Sequence, residues 1–100
     1  MSMTNMEETE TGHRAWVTIN NSLGLHLRPA ALLVKLASGF GECEILLIKD
    51  GQMVNAKSIM GVIMLAAEQG SELVVEARGE RSVEAVAALI ELIEHGFGEP

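Results

Sequence analysis

Residues Cys43 to Ala56 read CEILLIKDGQMVNA. Two strand-like runs, CEILLIK and QMVNA, flank Asp50-Gly51, a pair favoured in tight hairpins because both central positions take a left-handed backbone. A hairpin makes its two strands antiparallel. A chain alternating strand and helix throughout would build a parallel sheet instead. The reading of Asp50-Gly51 therefore decides the class, and the flanking segments complete it.

Upstream, the run PAALLVKLAS from Pro29 puts Ala30, Leu33, Val34 and Ala37 on one helical stripe, ended by Gly39. Before it, RAWVTIN alternates, with Val17 and Ile19 on one face and Trp16 and Thr18 on the other. Downstream, Ser58 is placed to cap a short helix in IMGVIMLAA, weakened by Gly61 and stopped at Gln69-Gly70. SELVVEA is a further strand, with Leu73, Val75 and Ala77 sharing a face. Ser82 is then expected to cap VEAVAALIELIEH, where Val83, Val86, Ala87, Ile90 and Ile93 form a stripe closed by Gly96. The order β-α-β-β-α-β-α predicts an α+β, open-faced β-sandwich: three helices on one face of a four-stranded antiparallel sheet. The polar, acidic residues 1–13 are expected to form a flexible leader, and residues 14–99 one domain.

The chain has 100 residues, 48% hydrophobic but only 3% aromatic, so the core must be aliphatic. A net charge of −7 disfavours nucleic acid and anionic membranes, while a small anion needs only a local site. The single cysteine, Cys43, excludes an intrachain disulfide and a cysteine zinc cluster, and its apolar strand makes it a buried small hydrophobe. No secretory h-region is visible at the N-terminus and no apolar run reaches membrane length, so a cytoplasmic location is expected. His13, His26 and His95 have no metal-ligand spacing, so no metal is expected.

The unusual segment is Gly24–Ala30, GLHLRPA. It opens a helix with His-x-Arg-Pro where Ser or Asp would cap better. Just before a helix, a side chain sits beside unsatisfied N–H groups and the positive end of the dipole. A phosphate fits there. His26 offers a nucleophilic nitrogen near neutral pH, Arg28 a charged partner for the phosphoryl group, and Pro29 loses nothing in the first turn. Each residue type suits a transient phosphohistidine. No second acid–base group stands near His26 in the sequence.

GLHLRPA resembles the active-site signature of the HPr family, the histidine phosphocarriers of the phosphoenolpyruvate-dependent phosphotransferase system. VNAKSIMGVIML, Val54 to Leu65, is similar to that family's regulatory serine region, and GFGE at Gly96–Glu99 to the ending of many members. The resemblance covers residues 14–99 and includes the element order. It implies that His26 accepts phosphate through Nδ1 from phosphorylated enzyme I and passes it to an enzyme IIA domain, steadied by Arg28. It implies no cofactor. It aligns Ser58 with a serine modified in some bacteria by an HPr kinase/phosphorylase, whereas capping alone also explains a serine there. Ala31, Leu32, Ile59, Met60 and Ile63 are the expected docking residues. Two departures stand out: Leu27 replaces a smaller residue between His and Arg, and Leu23 precedes Gly24 where sugar-transport members often carry Asn or Ser. NSLGLH looks closer to the nitrogen-related branch. That leaves a regulatory module, controlling partners without feeding a transporter, as the alternative to a carrier in sugar uptake. Finally, the period of two turns Trp16, Leu46, Ile48 and Val74 to the uncovered sheet face, and the strand order that the resemblance implies, with the last strand between the first two, gathers them into one apolar patch, expected to support self-association or a second partner unless the acidic leader covers it.

Overall fold

The computed structural model describes residues 5–100. The Asp50-Gly51 turn is present, with φ of 51° and 80°. It joins β3 (Cys43–Lys49) to β4 (Gln52–Asn55) with Leu47 opposite Val54 and Lys49 opposite Gln52. The other strands are β1 (Glu7–Glu8), β2 (Gly12–Thr18) and β5 (Glu72–Gly79), and the sheet order is β1-β2-β5-β3-β4, antiparallel at every step. Helices α1 (Leu27–Ser38), α2 (Ile59–Met64) and α3 (Ser82–Glu94) and a closing 3-10 turn (Gly96–Gly98) complete the chain.

The class is as expected, but the sheet has five strands rather than four. The additional one comes from the acidic N-terminal segment: Glu7 and Glu8 pair with Arg14 and His13. The first long strand also starts earlier than residue 14, at Gly12. Polar composition concealed this because an edge strand needs backbone partners more than apolar side chains. Residues 1–4 of the expected leader lie outside the described residues.

The aliphatic core lies between sheet and helices. Ile45, Leu47, Leu73 and Val75 are completely buried there, together with Ile19, Leu33, Leu89 and Ile90. Each such side chain contributes about 1.5–3 kcal/mol relative to exposure. Helix α3 is rotated from the expected stripe. It buries Ser82, Ala85, Val86, Leu89, Ile90 and Ile93, while Val83 is exposed. Ser82 is also not the cap. Arg81 takes that position with a left-handed backbone (φ 64°), and the Ser82 hydroxyl lies 2.8 Å from Nδ1 of His13.

The uncovered face differs from the expected patch. Trp16, Ile48 and Val74 form a cross-strand row there, Trp16 and Ile48 each opposite Val74, but all three are half-buried and Leu46 is only 7% exposed. Leu46 stands opposite Glu76, whose carboxylate belongs to a chain of ion pairs crossing the face. Glu7 meets Arg14, Arg14 meets Glu76 at 4.0 Å, Glu76 meets Arg78 at 2.9 Å, and Arg78 meets Glu44 at 3.4 Å. The Arg14 guanidinium also stacks 5.8 Å from the Trp16 ring centroid. A charged lattice thus occupies ground that alternation alone assigns to apolar surface, and Leu46 contributes little to any contact made by that face.

Candidate functional site

His26 is the N-cap of α1, with extended backbone (φ −77°, ψ −173°) and no side-chain bond to the helix. The first intrahelical bond runs from the Ala30 N–H to the His26 carbonyl. The N–H groups of Leu27 and Arg28 precede that ladder, and Pro29 has none. No acidic side chain occupies the first turn. No residue of the helix's own first turn therefore offsets the positive end of its dipole, beside the imidazole.

The loop before the helix is fixed by close packing. Leu25 is buried and its N–H donates to the Ala67 carbonyl. Gly24 has φ 67°, and a Cβ there would lie 2.4 Å from that same carbonyl oxygen. Glycine answers both demands at once. His26 itself borders a shallow depression of ≈ 350 Å³ lined by Leu23, Leu25, Ala66, Ala67 and Glu68.

A second acid–base group does stand beside His26, contrary to the sequence-based expectation. The 3-10 turn brings the C-terminal segment back, anchored by buried Phe97 and by the Ser22 N–H donating to an oxygen of Pro100. Glu99 Oε1 lies 2.8 Å from His26 Nε2 and accepts at 2.9 Å from Asn21 Nδ2. The His26 imidazole, then the Asn21 amide, hold the Glu99 carboxyl below its ordinary pKa of 4.5, and more distant Arg28 adds to this. An ionised carboxylate can only accept. Nε2 therefore carries the proton in neutral imidazole, and the lone pair sits on Nδ1, the nitrogen nearer the backbone. The only sequence signal for Glu99 was the GFGE ending, seventy-three residues away. Asn21, 1% exposed, had no signal of its own.

Arg28, the second residue of α1, is exposed and makes no ion pair among the described residues. Ser58 is the N-cap of α2, its hydroxyl accepting from the Gly61 N–H at 3.2 Å. The surrounding surface is apolar. Ala31, Leu32, Ile59, Met60 and Ile63 are all exposed. Leu23 and Leu27, which stood out in the sequence only as departures from the family pattern, and Met64, which had no signal there, are exposed as well. Among the described residues, all the exposed large hydrophobics except Met53 and Val83 lie on the loop before α1, on α1, or on α2, and those two helices pack together. The described residues contain no cluster with metal-ligating composition. None of their helices is long and apolar enough to cross a membrane.

Comparison with known proteins matches the chain to a family. Residues 14–95 fit the family model described as the PTS HPr component phosphorylation site. The phosphocarrier protein HPr of Cupriavidus necator is 48% identical over 82 residues, covering 82% of this chain and 91% of its own. The phosphocarrier protein NPr of Escherichia coli K12 is 43% identical, covering 83% and 92%. The crystal structure of HPr-C-His from Thermoanaerobacter tengcongensis superposes with a TM-score of 0.83 at 46% identity, over 87% of this chain and 97% of that one. By sequence and by fold, the chain belongs to the HPr family, the phosphocarriers of the phosphotransferase system.

Proposed function

We propose that Nδ1 of His26 is the atom that carries the phosphoryl group. The observation that supports this is the Glu99 carboxylate at Nε2, which fixes the tautomer with Nδ1 unprotonated. In the forward step the Nδ1 lone pair forms the new N–P bond. The bond to the donor, phosphorylated enzyme I, breaks, and the donor nitrogen leaves with its electron pair. The phosphoryl group then sits beside the free N–H groups of Leu27 and Arg28, at the positive end of α1. Arg28, free of intramolecular ion pairs among the described residues, swings to pair with it. Transfer to an enzyme IIA domain reverses these steps. No cofactor is needed.

The docking surface for both partners is Ala31, Leu32, Ile59, Met60 and Ile63, extended by Leu23, Leu27 and Met64. Two flexible methionines suit a surface that fits more than one partner. Phosphorylation of Ser58 by an HPr kinase/phosphorylase would place a dianion at the edge of this surface and oppose apolar docking.

A second reading is favoured by a specific observation, the 43% identity to an NPr protein. On that reading the same phosphohistidine controls regulatory partners and feeds no transporter. The experiment on the shared chemistry is NMR of the phosphorylated chain, ¹⁵N-labelled in its imidazoles. Phosphorus coupling at Nδ1 of His26 is the expected result, and coupling at Nε2 would overturn the assignment. Reconstitution with each class of acceptor then separates the two readings.

A further inference from the structure

The N-terminal strand makes an edge that a sheet of the expected four strands would leave open. In β2, the side chains of Ala15 and Val17 face the core, and the backbone groups alternate in the plane of the sheet. Val17 and Ala15 turn toward β5, while Gly12, Arg14, Trp16 and Thr18 turn outward. The N-terminal segment answers three of those four in succession. The Thr9 N–H donates to the Gly12 carbonyl, and the Gly12 N–H donates to the Thr9 hydroxyl. Glu7 pairs with Arg14 in the ladder and through its carboxylate. The Asn5 side-chain amide donates to the Trp16 carbonyl at 2.7 Å. Met6 packs against the core. Only two residues of the segment are in strand conformation, so few bonds hold a seven-residue edge closed.

We propose that residues 5–11 act as an edge guard, and that their release turns β2 into a docking edge for β2 of a second copy of this chain. The occupant is argued from register. An antiparallel pair of identical strands centred on Ala15 sets Gly12 opposite Thr18 and Arg14 opposite Trp16, so every outward backbone group finds a partner. It also brings each arginine to the other copy's indole, the contact Arg14 already makes within its own strand at 5.8 Å. A register centred on Arg14 would oppose two arginines and is disfavoured. The contact uses the sheet edge, not the ion-paired open face. Glu7, Glu8 and Glu10 add a negative rim that discourages strand addition while the guard is closed.

The test uses full-length chain. In Asn5→Ala/Glu7→Pro, the substitutions remove the Trp16 bond, the Glu7 carboxylate and the Glu7 N–H. Light scattering across a concentration series should show the wild type monomeric and this variant rising toward twice the monomer mass. Emission of Trp16, the single tryptophan, should shift over the same range. Adding Arg14→Pro, which deletes an outward N–H and leaves the β5 ladder intact, should restore the monomer. A variant that stays monomeric at every concentration overturns the proposal. So does a dimer that survives Arg14→Pro, or a wild type that is already dimeric. Hydrogen exchange on the unmodified chain gives an answer that does not depend on any variant folding. The Arg14 amide should exchange through local opening, much faster than the Ala15 amide, which is paired with β5. Equal rates for the two would show that the guard does not open apart from the domain.

Discussion

The Nε2 atom of His26 and the Oε1 atom of Glu99 lie 2.8 Å apart across seventy-three residues of sequence. In neutral imidazole this contact leaves the lone pair on Nδ1, the nitrogen proposed to take the phosphoryl group, and it ties the C-terminal segment to the first helix.

The same contact gives a pH dependence. Glu99 has its folded pKa depressed, so the stabilisation it provides is complete above the unfolded value, near 4.5, and is lost as pH falls through the lower folded value. Thermal unfolding should therefore separate wild type from Glu99→Gln near neutral pH, with the difference closing below pH 4.5. A difference in Tm that stays constant down to strongly acid pH would show that the carboxylate is not held ionised by its neighbours.

Gly24→Ala should be costly. The new methyl group meets the Ala67 carbonyl at 2.4 Å, and the backbone is at φ 67°. Strain and overpacking together are worth about 2–4 kcal/mol. Urea unfolding of the variant should show this loss, whereas Gly41→Ala, where a Cβ meets nothing within 4 Å, should be nearly silent.

Met60 and Met64 are each 65% exposed on α2. Replacing both by serine should leave stability within about 0.5 kcal/mol per site. If this surface docks partners, affinity for enzyme I should fall about fivefold or more. Calorimetric titration of the double variant, with its melting curve, separates a docking role from a structural one.

Ser58→Ala removes the bond from the Gly61 N–H to the Ser58 hydroxyl and should cost ~1 kcal/mol. Incubation with an HPr kinase/phosphorylase and ATP should phosphorylate the wild type and leave this variant unmodified. Failure to modify the wild type would leave Ser58 with the capping role alone.

Much of this architecture was legible in sequence because the signals were local. Asp50-Gly51 marked the hairpin, alternation put Val17 with Ile19 and Leu73 with Val75 on shared faces that prove to be buried, and His-x-Arg-Pro marked a helix start with an unusual cap. The elements that were misjudged depend on partners remote in sequence. The rotated face of α3 accompanies a left-handed Arg81 at its cap and a Ser82 hydroxyl turned to His13, sixty-nine residues away. The fifth strand forms because β2 has open backbone groups, not because Glu7 and Glu8 favour strands. Leu46 is covered because the cross-strand register sets Glu76 opposite it. Glu99 reaches His26 only because the chain turns at Phe97, a residue at φ 58° whose side chain is buried. No local pattern of residue types announces any of these.

The central claim is that His26 carries a transferable phosphate. The direct measurement is the intact mass of the chain after incubation with phosphoenolpyruvate, magnesium and enzyme I, read before and after brief acid treatment. A gain of one phosphate is expected, lost in acid and absent from His26→Ala. A wild type that gains nothing from an enzyme I competent on another HPr, or a His26→Ala variant that gains the same phosphate, would contradict it.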